Sequence, residues 1–84
     1  MRRSQPRCII TFVTTAMALK MEKACHANHA PGRLIPVPRE ITAGCGLAWM
    51  AAPEDAEQLR AVMQKEQVTP QEIYVLEGKA NGNS

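Results

Sequence analysis

The chain has 84 residues, a formal charge of +2 and a hydrophobic share of 45%, the size and balance of one small globular domain. So small a charge argues for no particular partner. With one Phe, one Trp and one Tyr there is no row of aromatic platforms for nucleobases, and nucleic-acid binding is not expected. The uncharged run from Cys8 to Leu19 is well short of a membrane span.

Residues 1–6 are basic and polar and are expected to be disordered. Arg7 to Val13 is rich in β-branched residues and reads as a buried strand. The preceding arginines, this apolar run and Ala16-Met17-Ala18 together imitate a secretory signal. Against export, Thr11, Thr14 and Thr15 dilute the apolar centre, and removing the segment would strip the domain of a strand. The cysteines Cys8, Cys25 and Cys45 are odd in number and widely spaced, which makes no disulfide framework and fits a reducing, cytoplasmic setting.

Thr14 or Thr15 offers an N-cap hydroxyl, and Ala16 to about Asn28 is predicted helical from its Ala, Met, Leu, Lys and Glu content. Met17, Met21, Ala24 and Cys25 share one stripe, with Ala18 beside it. Pro31 and Gly32 stop this helix. Arg33 to Val37 is a second strand, and Pro36 confines it to a sheet edge or ends it there. Pro38 to Gly44 is a loop, and Gly46 to Ala51 a third strand. Pro53 suits the first position of a second helix, with Glu54 and Asp55 at the positive end of its dipole. Ala56, Leu59, Val62 and Met63 form the inner face of that helix to about Glu66. Glu72 to Leu76 is the last strand, and the polar segment 78–84 is expected to be disordered.

The order strand-helix-strand, strand-helix-strand in so short a chain predicts an α+β fold. One ferredoxin-like βαββαβ domain over residues 7–77 would have a four-stranded antiparallel sheet with two helices on one face. That topology brings the loop between the second and third strands to the sheet end where the first helix begins. Cys45 would then lie near Thr14 and Thr15, whose free amides favour an anion.

Cys45 stands between Gly44 and Gly46. Glycines allow close backbone approach and left-handed dihedrals, and converging amides would form a small anion nest around a thiolate. Arg39 would add positive charge, and Glu40 would oppose it if turned inward. The plain alternative is a tight turn with an incidental cysteine. Cys25, His26 and His29 form a second cluster, with Cys25 and His29 one turn apart. Cys25 falls on the apolar stripe, where cysteine acts as a small hydrophobe, and no metal site is expected. Arg33 and Arg39 flank the Pro-Val-Pro run either as solvated charges or as anion-recognition groups. No phosphate loop, Ser-His-Asp set, paired catalytic carboxylates or Cys-x-x-Cys occurs. A self-contained enzyme is therefore not expected, and no cofactor is implied.

The chain resembles the small bacterial DUF3343 proteins, described as Putative Se/S carrier protein-like. The resemblance rests on Ile9-Ile10-Thr11-Phe12, Ala18-Leu19-Lys20 with Glu22-Lys23, Arg33 through Ile41, Gly44 through Ala48, and Pro53-Glu54-Asp55. It implies a carrier that holds sulfur or selenium as a persulfide-type group on Cys45, between donor and acceptor proteins. Cys25, His26 and His29 fall outside the pattern. Two other readings stand beside this one. The first is a non-catalytic ferredoxin-like module that binds a ligand or regulates as a homodimer through its open sheet face. The second is a thiol redox sensor.

Overall fold

The structure, a computed structural model, describes residues 6–42 and 44–76. The segments 1–5 and 77–84, which include almost all of the two stretches expected to be disordered, lie outside the described residues.

Strands β1 (Arg7–Thr11), β2 (Arg33–Pro36), β3 (Leu47–Ala51) and β4 (Glu72–Leu76) form one sheet in the order β2-β3-β1-β4. Every pairing is antiparallel, with Ile9 opposite Met50 on one side and opposite Tyr74 on the other. Helices α1 (Thr15–Ala27) and α2 (Ala56–Glu66) complete the ferredoxin-like α+β arrangement. β2 lies at the sheet edge and ends at Pro36, since a residue without an N–H cannot continue a ladder.

The strands alternate faces. Cys8, Ile10, Phe12, Trp49 and Ala51 point inward to the helices, where they meet Met21, Cys25, Leu59 and Met63 in the main core. Trp49 is buried there, and its Nε1 donates to the Pro31 carbonyl at 3.0 Å. On the outer face a second, smaller cluster holds Ile9, Ala48 and Ile41, with Ile35, Val37, Met50, Tyr74 and Leu76 half-buried around it. Trp49 therefore faces the helices, and its neighbours Ala48 and Met50 face the open side.

Thr14 caps α1, its hydroxyl accepting from the Met17 amide at 3.1 Å, which starts the helix one residue before the expected Ala16. The entry to α2 also differs from expectation. Pro53–Asp55 form a 3-10 turn, closed by the Asp55 amide on the Ala52 carbonyl at 3.0 Å, and the α-helix begins only at Ala56.

Both helices end in the same way. After α1, the Ala30 amide bonds the Cys25 carbonyl (2.8 Å) and the His29 amide bonds that of His26 (3.3 Å). After α2, Val68 bonds Met63 (2.8 Å) and Gln67 bonds Gln64 (3.4 Å). These are Schellman endings, which glycine usually supplies because one residue must turn left-handed. Here His29 (φ 53) and Gln67 (φ 59) take that position. A left-handed L-residue costs about 1 kcal/mol or somewhat more. His29→Gly should therefore raise stability by about 1 kcal/mol in a urea melt, and an unchanged or lower midpoint would contradict the cap.

Candidate functional site

The hairpin joining β2 to β3 carries Cys45. Its strands meet at Pro36–Leu47, and the Val37 amide adds one more bond, to the Gly46 carbonyl at 3.0 Å. Beyond it the chain turns at Pro38–Ile41, where the Ile41 amide donates to the Pro38 carbonyl at 2.9 Å. That turn drops Ile41 onto Ile9 and Ala48 on the outer face. Cys45 returns on the other side and packs against the main core under the helices. The loop thus straddles the end of the sheet.

The glycines on either side of the cysteine use their freedom. Gly44 has φ 89 and Gly46 φ 97, values that other residues adopt only under strain. Gly44 also lies so close to the end of β1 that a Cβ there would stand 3.0 Å from the Phe12 carbonyl and 3.4 Å from the Gln71 Oε1. This proximity lets the Cys45 amide donate to the Phe12 carbonyl at 3.0 Å. Phe12 precedes the Thr14 cap by two residues, so the structure brings the cysteine loop to the segment that leads into α1. The Cys45 amide is committed to Phe12 and does not cradle its own sulfur. The thiol donates weakly to the Leu47 carbonyl, 3.9 Å away.

Gln71 was not singled out from sequence. Its amide donates to the Thr11 carbonyl at 2.7 Å, bringing its side chain over Gly44. No sequence signal marks it, because its place depends on the β1–β4 register.

Arg39 and Glu40 are both exposed on the Pro38–Ile41 turn, the one whose Ile41 sits on the outer face. Glu40 faces Arg7 at 3.7 Å, a surface pair of little energetic weight. Its carboxylate therefore does not turn inward.

The three thiols differ sharply in setting. Cys8 and Cys25 are 0% and 1% exposed, while Cys45 is half-buried. Burial raises the Cys8 thiol above its ordinary range, with Arg60 opposing and Asp55 adding to the rise. Burial also pushes Cys25 up to about 11. Both stay protonated at neutral pH. Cys25 and His26 line a cleft of 240 Å³ between α1 and β2, together with Glu22, Arg33 and Trp49. Among the described residues no three His, Cys, Asp or Glu side chains are grouped to hold a metal. His29 is exposed at the left-handed cap position instead of facing Cys25 across a helical turn.

Fold and loop together define a small ferredoxin-like domain that offers a single half-exposed thiol from a β-hairpin. The family model described as Putative Se/S carrier protein-like matches residues 7–75, and the chain belongs to that family. No curated protein and no solved structure matches it. No described helix is long and apolar enough to cross a membrane.

Proposed function

We propose that this protein is a carrier, not an enzyme, which accepts a sulfur or selenium atom on Cys45 and passes it to an acceptor. The observation that carries the reading is the contrast among the three cysteines: two are sealed in the core, and the third is held at the surface between two left-handed glycines. Family membership supports the cargo.

The chemistry needs no external oxidant. The Cys45 thiolate attacks the terminal sulfur of a donor persulfide, R–S–SH, forming the Cys45 S–S bond as the donor S–S bond breaks. The donor leaves as the thiolate R–S⁻ and the proton stays on the terminal sulfur. The same displacement at the selenium of R–S–Se⁻ gives a selenosulfide on Cys45. Delivery reverses the step: an acceptor nucleophile takes the terminal atom and Cys45 departs as thiolate. A reducing cytoplasm, where no stable disulfide ties up the thiol, suits this cycle. Gly44 and Gly46 shape the loop, the Thr14–Thr15 helix start lies on the adjoining segment, and Arg39 gives a docking partner a positive charge on the same hairpin loop.

Intact-mass analysis after exposure to inorganic polysulfide tests the reading. One added sulfur, removed by reductant and absent from a Cys45→Ser variant with an unchanged melt, is the expected result. An unmodified wild-type chain, or an adduct that survives in Cys45→Ser, would overturn it.

A further inference from the structure

In a sheet covered by helices on one side, the other side normally faces water and alternates to polar residues. Here the apolar outward positions are Ile9, Ile35, Ala48, Met50, Tyr74 and Leu76, with Arg7, Arg33, Glu72 and the buried Thr11 the polar ones. Of the apolar ones the Ile41 loop covers only Ile9 and Ala48 to the point of burial, and the other four stay half-exposed. An apolar sheet face of this kind marks a contact surface.

Its charges identify the occupant. By alternation Arg33 shares the outer face with Ile35, at the β2 edge, and Glu72 shares it with Tyr74, at the β4 edge. Both are exposed and, among the described residues, neither has an ion-pair partner. The other opposite charges at this face, Arg7 and Glu40, already pair with each other at 3.7 Å. The face thus has a free basic group at one edge and a free acidic group at the other, and between them it is mainly apolar, with Thr11 buried and Arg7 neutralised by Glu40.

We propose that this face pairs with the same face of a second copy of the chain, about a twofold axis running along the strands. Such an axis sets β2 of one copy over β4 of the other, and β3 over β1. Levels along the strands are preserved, so Met50 stands at the level of Ile9 of the second copy and meets the half-exposed side chains around it, Ile9 itself being sealed beneath its own Ile41. Arg33 meets the Tyr74 ring of the second copy, with Glu72 one pair further along and within reach of the guanidinium. An axis across the strands would instead set β2 over β2 and bring the two Arg33 side chains toward each other. Cys45 packs on the helix side of the sheet, so this dimer leaves the thiol uncovered. The proposal rests on the sheet face alone and stands or falls independently of the carrier reading.

Sedimentation equilibrium of the full chain under reductant tests it. The expected result is a concentration-dependent dimer that Met50→Asp abolishes. Arg33→Glu and Glu72→Arg should each weaken it about tenfold, and the double reversal should restore it. The reversals replace exposed side chains, so they keep the test decisive even if Met50→Asp misfolds by circular dichroism. A chain that stays monomeric at all concentrations would overturn the proposal and leave the face to a different protein partner. A dimer indifferent to folded Met50→Asp, or weakened by the single reversals without recovery in the double one, would overturn it equally.

Discussion

In the folded protein, Cys45 should react with iodoacetamide at least about a thousandfold faster than Cys8 or Cys25. The reason is access before acidity. Cys8 and Cys25 are 0% and 1% exposed in the core under the helices, so a reagent reaches them only when the domain opens. Even marginal stability keeps that open fraction at about one part in a thousand or less. Burial also holds both thiols protonated, Cys25 up to about 11, and the thiolate is the reactive form. Peptide mapping over a time course in native buffer, then in urea, measures the ratio directly. The three rates should converge in urea, and parallel labelling of all three in native buffer would contradict the core described above.

The same burial has a pH signature. In the unfolded chain these thiols ionise near 9.0, whereas in the fold Cys25 does so only near 11. Below the unfolded value both states bind the proton and stability is unaffected. Between the two values the unfolded state releases the proton and the native state does not, so stability falls as pH rises. A Cys25→Ala variant, though less stable overall, should lose part of that alkaline decline.

Gly32→Ala should be among the most damaging single-methyl substitutions in the domain, costing about 3 kcal/mol. Two effects add. Gly32 has φ 114, a conformation that L-residues adopt only at a cost of about 1–3 kcal/mol. In addition, an added Cβ would stand 2.7 Å from the Met50 carbonyl and collide with the Trp49 indole. That indole cannot readily yield, because it is buried and its Nε1 is bonded to the Pro31 carbonyl. Forcing extra volume into such a contact costs about 1–3 kcal/mol more. Gly46→Ala provides the comparison, since φ is 97 there but nothing lies within 4 Å of the added atom. Gly46→Ala should show the backbone share alone. Urea melts followed by Trp49 fluorescence would rank the two, and a Gly32→Ala cost no larger than that of Gly46→Ala would sink the packing argument.

These examples show what the amino-acid pattern could and could not carry. The alternation of β-branched runs with Ala- and Met-rich stretches was enough to order the strands and helices, because period and propensity are local. Pro36 announced an edge strand for the same reason. Gly32 was legible as a helix stop, but its real constraint is the Trp49 ring, which only the β2–β3 pairing brings there. His29 and Gln67 were invisible as left-handed caps, since the pattern leads one to look for glycine. Ile41 falls in the stretch that reads only as a loop, and its role as a plug appears only once Ile9 and Ala48 are placed beneath it. Near Cys45 the glycines pointed to unusual dihedrals, and both have them. What the sequence left open was direction. The Cys45 amide turns to Phe12 and not to its own sulfur, and Arg39 is exposed on the Pro38–Ile41 turn.

The straddling loop bears on how cargo would change hands. Ile41 is buried on one side of the sheet, the Cys45 amide is tied to Phe12, and the Gly46 carbonyl is tied to Val37. Between Ile41 and Cys45 the chain spans at most about 14 Å when fully extended. A thiol fastened on both sides in this way is no swinging arm that ferries its load between distant stations. On the carrier reading proposed above it would be a fixed berth, with donor and acceptor each coming alongside it in turn. Exchange would then be timed by how long each partner stays docked, and competition for that one landing place would set the direction of traffic.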